Sequence, residues 1–315
     1  MLNRYPDTRQ QAISGPRGNA GTVWIDLLAP DDAERTNASA LLGRDLPTRE
    51  QISSIELSNR VRSSEDLLCI NIPGFVRGDG DHGALTPLGI VLTPTLLVTL
   101  RYAASSAFDR VAKIAASAAP PTSSIDAFVN LFESVSATAA DHMQALSLDL
   151  SKLSHSVFSD SPDHSQMLRG VLFRIGAIQH QLAQVHAAML GVERGLAHLC
   201  DDRPSWIDAV HLGRLNVVLG DLRSLTEFDQ QLDDKVQFVL DATLGFINND
   251  QNDTIKVLTI ASVVTIPPMI LAGIWGMNFK SIPEYNWPHG YAFAWTLIVL
   301  SMLLPLAWFK WKRWF

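Results

Sequence analysis

The chain of 315 residues has only two cysteines, Cys69 and Cys200, far apart in sequence. That excludes a disulfide framework and a thiolate metal site, and both read as buried, reduced thiols. A glycine-rich phosphate loop, a nucleophile elbow and a His-Glu-x-x-His helix are also missing, so an enzyme finds little support. The histidine pairs His180 with His186 and His198 with Cys200 lack the spacing of helical metal ligands and read as solvated helix faces. No apolar run stands behind the first arginines, so no cleavable signal is expected. The scarcest feature of all is charge near the C-terminus. Of the 53 residues from Val257 to Phe309, only Lys280 and Glu284 are charged, which excludes a wholly soluble chain.

The last 59 residues hold four basic residues against one acid, so the net charge of −7 leaves −10 on the first 256 residues. An acidic part of that size argues against nucleic acid as a partner and suits cations. The uncharged region contains two apolar runs, Val257–Met277 and Tyr291–Phe309, of 21 and 19 residues. Each is long enough to cross about 30 Å of hydrocarbon as a helix. The 13 residues between them, NFKSIPEYNWPHG, have the prolines, glycine and asparagines of a tight crossing loop. Six of the eight tryptophans fall in the last 41 residues, as interfacial belts do, which favours a membrane hairpin over one buried in a soluble core. Lys256 precedes the first run, and Lys310, Lys312 and Arg313 follow the second. Both ends of the hairpin therefore face the cytoplasm and the loop faces outward.

In the acidic part, residues 22–28 (TVWIDLL), 66–76 (DLLCINIPGFV) and 88–100 (LGIVLTPTLLVTL) are apolar, β-branched and bounded by Gly, Pro and Asp. They predict strands. Asp31 or Asp32 can cap an intervening helix, and Thr48 with Gln51 forms a capping box after Pro47. The loop GDGDHG (78–83) offers Asp79 and Asp81 without the downstream Glu of a calcium loop, so it reads as a hairpin turn. After Pro120 and Pro121 one helix is expected from Ser123 to His155; SDSPD (159–163) ends it, and another runs to Leu199. No proline occurs from Ser205 to Ile266, so a single helix of about 60 residues, some 90 Å, can run straight into the first span. One small domain cannot bury such a helix. It asks for identical neighbours.

At Gly276-Met277-Asn278, the end of the first span, the sequence resembles the CorA family of divalent-cation channels. The likeness covers residues 240–315, through LDATLGFINNDQNDTIKVLTIASVV, PPMILAGIWGMNF, IPE, the W and GY beyond it and the terminal KWKRWF. WIDLLAPDD and LLCINIPGF resemble the family's cytosolic domain more loosely. The resemblance implies an α/β cytosolic domain, a long stalk helix and two C-terminal transmembrane helices, assembled as a homopentameric funnel-shaped channel. Its setting would be the inner membrane with both termini cytoplasmic, and its partners lipid, divalent cations and copies of itself. Mg²⁺ would be both the transported and the regulatory ion, with Co²⁺ or Ni²⁺ also admitted. The implied division is a cytosolic α/β domain over 1–120, a helical hairpin over 121–204 and a stalk over 205–256. Beyond these come a pore-lining span over 257–278, an outer loop over 279–290, a second span over 291–309 and a basic tail over 310–315.

By the same resemblance Gly276, Met277 and Asn278 form the selectivity filter. Mg²⁺ holds its waters tightly, so a ring of neutral amide oxygens accepts hydrogen bonds from the hydrated ion without the cost of stripping it. Gly276 keeps the backbone close there, and Met277 packs. Asn278 alone could equally be a helix C-cap. Where family members usually carry Met-Pro-Glu-Leu, this chain has Ile282-Pro283-Glu284-Tyr285. Glu284 concentrates cations at the outer mouth, while Lys280, at a position often acidic in relatives, makes that mouth less negative. The positions matching the family's pore constrictions are Met269, Ile266, Leu258, Ile255 and Asn252. Apolar rings at Ile266, Leu258 and Ile255 would gate by dewetting, or serve as ordinary helix contacts. Pro267 and Pro268 are expected to bend the span.

Glu227, Asp234, Asp241, Asn248, Ile255 and Ser262 recur every seven residues, a period that keeps one stripe towards a partner or axis. If Ile255 faces a pore, then Asp241, Asp234 and Glu227 line an inner funnel that gathers exiting cations. Register drift weakens this for Glu227, whereas the family places an acid at the position of Asp241. The acidic cytosolic charge suits closure by cytosolic Mg²⁺, since five such domains repel without counterions. Lys310, Lys312 and Arg313 ring the inner mouth or anchor to lipid phosphates. Two other readings compete: a zinc transporter like the ZntB branch, and a membrane-anchored sensor or scaffold without transport.

Overall fold

The computed structural model describes residues 1–5, 22–53, 61–77, 83–116, 120–159, 164–202, 204–278, 282–312 and 314. The chain forms two compact units, Met1–Asp160 with Arg169–Leu240, and Ser161–Leu168 with Asp241–Phe315.

In the first unit, strands β1 (Leu2–Tyr5), β2 (Trp24–Leu28), β3 (Val61–Ser64), β4 (Leu67–Arg77), β5 (Gly83–Leu92) and β6 (Leu97–Arg101) make one sheet. Their order is β1-β2-β6-β5-β4-β3. β2 and β6 run parallel, with Trp24 opposite Leu97, and the other neighbours are antiparallel. β6 is buried along its whole length because helices cover both faces of the sheet, which is why its sequence is apolar without alternation. One face packs Ile25, Leu27, Val91, Val98 and Leu100 against Ala38 of α1 (Asp32–Leu42) and Ile52 of α2 (Arg49–Ser53). Both helices start at reciprocal caps. The Glu34 amide donates to Asp31 at 2.7 Å and the Asp31 amide to Glu34 at 3.3 Å, and Thr48 and Gln51 exchange the same pair of bonds.

Residues 88–100, expected as one strand, are two. The Thr93 amide donates to the Leu96 carbonyl at 2.9 Å, and the Leu96 amide donates to the Thr93 hydroxyl at 3.0 Å. Pro94, with no amide hydrogen to give, stands at the corner where the ladder stops. β4 and β5 pair antiparallel out to Arg77 opposite Gly83, so they are joined as a hairpin. Residues 78–82 of that connection, Asp79 and Asp81 included, lie outside the described residues. The edge strands β1 and β3 were not expected from the sequence. Cys69 and Cys200 are unlinked but half-buried rather than buried, and in both the loss of solvent pushes the thiol pKa up.

The other face of the sheet receives α3 (Ser106–Ala115), α4 (Ser124–Val157) and α5 (His164–Asp201). α5 approaches β4 on bare backbone: a Cβ at Gly191 would stand 2.7 Å from Cδ of Pro73, and one at Gly195 3.1 Å from Cγ2 of Ile70. Pro73 is a closed ring and cannot swing away. Gly191→Ala is therefore expected to destabilise the protein by about 1–3 kcal/mol, read as a fall in melting temperature of the purified full chain. Gly176→Ala on the same helix, with nothing within 4 Å of its Cβ, should not lower it.

Beneath these helices sits a buried polar chain. Arg101 grips Asp26 through Nη2 at 2.9 Å and Nε at 3.1 Å, Thr99 donates to Asp26 at 2.8 Å, and Trp24 donates to Thr99 at 3.0 Å. The Arg101 guanidinium also lies 4.9 Å from the centre of the Phe108 ring. The last helix to join this unit, α6 (Ala209–Trp275), is tied to α4 by Arg214, which donates to Glu133 at 2.9 Å, Asp126 at 2.9 Å and Asn130 at 2.7 Å. α6 is a single helix of 67 residues that continues through Pro267 and Pro268 without a break. In the second unit its final turns pair with α7 (Gly290–Trp311), and a short 3₁₀ turn, Pro283–Asn286, precedes α7.

Candidate functional site

α6 and α7 are each long and apolar enough to cross a membrane, and only 11% and 6% of their most apolar windows are buried. A hairpin in a soluble core would be mostly covered, so this exposure favours membrane spans. Hydroxyls within these helices are matched locally: Thr259, Ser262, Thr265 and Thr296 donate to the carbonyls of Ile255, Leu258, Ala261 and Ala292 at 2.7–2.9 Å. Donors paired this way cost little in hydrocarbon.

α7 covers one side of α6, where Ile260 and Val264 are buried with Phe309 and Leu306. At about 100° per residue, Asn252, Ile255, Leu258, Ile266 and Met269 fall within roughly a third of the helix circumference, on the side nearly opposite Ile260 and Val264. All five are exposed, Leu258 at 67% and Met269 at 63%. α7 thus covers only the side of α6 that bears Ile260 and Val264, and the stripe of apolar residues and one amide stands open on the reverse, along with neighbours such as Val263 and Ile270.

That stripe ends at the tripeptide. The Gly276 amide donates to the Ala272 carbonyl at 2.9 Å and the Met277 amide to Ile274 at 3.3 Å, which closes the helix. A Cβ at Gly276 would come to 3.2 Å from the Ala272 carbonyl. Asn278 follows, outside the helix and exposed. The negative end of the α6 dipole points towards this residue, a cation-favouring feature that no spacing in the sequence announced. Glu284 lies half-buried in the 3₁₀ turn. Lys280 and Phe279 lie outside the described residues, as does Arg313 of the basic tail.

Along the earlier part of α6, Glu227, Asp234 and Asp241 are exposed, while Leu222, Leu232, Val236 and Val239 form its covered side. Seven residues advance a helix by about 10.5 Å, so no two of the three acids can share an ion within one chain. Among the described residues no group of three or more His, Cys, Asp and Glu side chains is arranged to hold a metal. Asp234 also borders a cleft of about 540 Å³ between α5 and α6, together with Asp229, Asp233 and His186. His186 is not a solvated histidine: its Nδ1 lies 2.6 Å from Oδ2 of the buried Asp229. Burial pushes the Asp229 carboxyl above its ordinary range, and the neighbouring Asp233 adds to this, against the pull of the His186 contact. His180, one turn and a half away, pairs with Gln184 at 2.8 Å.

The family described as CorA-like Mg²⁺ transporter protein matches residues 19–313. The magnesium transport protein CorA of Salmonella typhimurium strain LT2 is 32% identical over 297 residues, covering 93% of this chain and 92% of that protein. The CorA magnesium transporter of Methanocaldococcus jannaschii superposes with a TM-score of 0.74 at 18% identity, over 96% of this chain and 95% of that one. The cytoplasmic domain of ZntB from Vibrio parahaemolyticus shares the fold at a TM-score of 0.55 and 11% identity, over 73% of this chain and 87% of that domain. With a family match spanning nearly its whole length and relatives at this identity, the chain belongs to the CorA-like Mg²⁺ transporter family.

Proposed function

We propose that the chain carries Mg²⁺ into the cell through a homopentameric pore lined by α6, with Asn278 as the ring that selects the hydrated ion. The observation that carries this reading is the exposed stripe from Asn252 to Met269, open on the side of α6 away from α7 and ending at Asn278. Four neighbours around an axis would cover it. The reading sets the protein in the inner membrane with both termini in the cytoplasm. Inward flux needs no other energy source, because a divalent ion gains about 4.6 kcal/mol for each 100 mV of inside-negative potential. Cations reaching the filter keep their waters, meet Glu284 beside the mouth, and pass apolar collars at Ile266, Leu258 and Ile255 only when these are wide enough to be wet. Copies of Asp241 around the axis, with Asp234 and Glu227, gather the emerging ions, and Mg²⁺ bound among the acidic domains holds the pore closed.

Purified protein in vesicles should take up Mg²⁺ when a negative internal potential is imposed, with Co²⁺ slower. Zn²⁺ uptake exceeding that of Mg²⁺ would establish the zinc reading instead, and the absence of flux for every ion would leave an anchored scaffold. The family relation to named magnesium transport proteins at 32% identity favours magnesium over zinc, since the ZntB likeness is one of fold alone. On the cytosolic side, Asp241→Asn removes one charge per subunit from a shared ring. A calorimetric titration of the full chain is expected to show Mg²⁺ binding weakened roughly tenfold, about 1.4 kcal/mol. Unchanged binding would take Asp241 out of the funnel.

A further inference from the structure

Between the outer ends of α6 and α7 the second unit encloses a cleft of about 640 Å³, within the size range of small-molecule sites. Its walls include four large aromatic residues, Trp275, Trp287, Tyr291 and Trp295, and the carboxylate-bearing Glu284. Ile298, also on the wall, stands two turns into α7 and so leads from the aromatic rim towards the apolar body of the helix. We infer that this cleft holds the ammonium headgroup of a zwitterionic membrane phospholipid.

Four aromatic residues and a single acid along one cleft offer few of the oxygen ligands that would hold Mg²⁺ there, so the cation passes Glu284 without lodging in the cleft. The same group suits an organic ammonium, which gains both from the ring quadrupoles and from the carboxylate. Tyr291 is 80% exposed and Trp295 a little over half, so both keep surface open to a ligand, while Trp287 also packs against Phe293 with ring centres 5.6 Å apart. The site lies at the ends of two membrane-crossing helices, the level at which Trp and Tyr meet headgroups. Ile298 then offers apolar surface to the glycerol and upper acyl segments. A free amine in solution would not need that surface. Glu284 opposes a headgroup that carries only a phosphate.

This inference rests on the reading of α6 and α7 as membrane spans, and its test separates the two. Delipidated full-length protein in detergent is titrated with phosphatidylethanolamine and with phosphatidylglycerol of the same acyl chains, and bound lipid is counted by native mass spectrometry. The ethanolamine lipid is expected to bind at least fivefold more tightly, and Glu284→Gln, which keeps the shape of the side chain, should reduce that preference to less than twofold. Trp295→Leu should weaken ethanolamine-lipid binding severalfold. Equal binding of the two lipids, or a preference that survives Glu284→Gln, overturns the inference. Mg²⁺ uptake measured on the same preparation reports the transport reading independently: protein that conducts Mg²⁺ but shows no lipid preference refutes the lipid site alone. Protein that keeps the preference without conducting supports the lipid site and refutes the transport reading.

Discussion

Replacing Asn278 with alanine should reduce Mg²⁺ uptake into vesicles by about 100-fold while leaving the assembled protein intact. The size follows from counting. A hydrogen bond to the water shell of an ion contributes about 1 to 1.5 kcal/mol net, and two or three of five amides engaging the shell at once give about 3 kcal/mol. Within the tripeptide no other side chain can substitute, because Gly276 has none and Met277 offers only a thioether. Asn278→Asp separates selection from attraction. Five carboxylates would bind the hydrated ion more strongly, so uptake should saturate at lower Mg²⁺ with a lower maximum, since an ion that enters readily must also leave. Uptake within twofold of wild type for Asn278→Ala, with the oligomer intact by size measurement, would return Asn278 to the role of a helix cap.

What the sequence revealed beforehand, and what it did not, follows the range of the interactions involved. The caps at Asp31 and Thr48 join residues three apart, and both stand as the spacing suggests. The two spans were legible because hydrocarbon demands a run of uncharged residues, which composition records directly. The corner at Thr93-Pro94 was hidden because the apolar residues of β5 and β6 continue on both sides of it, and a strand buried on two faces shows no alternation to interrupt. β1 and β3 were missed for the opposite reason: as edge strands they carry few apolar residues. Long-range pairs left no trace in local pattern. His186 and Asp229 are 43 residues apart on different helices, and the three side chains held by Arg214 could not be matched to it by spacing. For the tripeptide, residue identity alone prompted the proposed filter, but only the structure shows that the stripe from Asn252 to Met269 lies opposite the side of α6 taken by α7.

Asp26→Ala should be among the most damaging single changes in the first unit, lowering stability by about 3–5 kcal/mol. Asp26 is 1% exposed and Arg101 7%, so removing the carboxylate strands a guanidinium where water cannot reach it. The loss spreads further, because Thr99 donates to Asp26 and Trp24 donates to Thr99. A melting temperature lower by about 10 °C or more in the purified full chain is the expected reading. The paired substitution Asp26→Leu with Arg101→Met distinguishes a need for the charges from a penalty for separating them. It removes both ions at once, fills similar volume and should recover most of the loss, since two buried charges gain little net energy over apolar side chains of the same size. A double variant as unstable as Asp26→Ala would mean that the bond to Thr99, and through it the position of Trp24 between β2 and β6, sustains the sheet. In that case the ion pair would serve to fix the register of the parallel strands. A fully recovered double variant would mean that register is fixed by the apolar residues on the opposite face, Ile25, Leu27, Val98 and Leu100, which neither substitution touches.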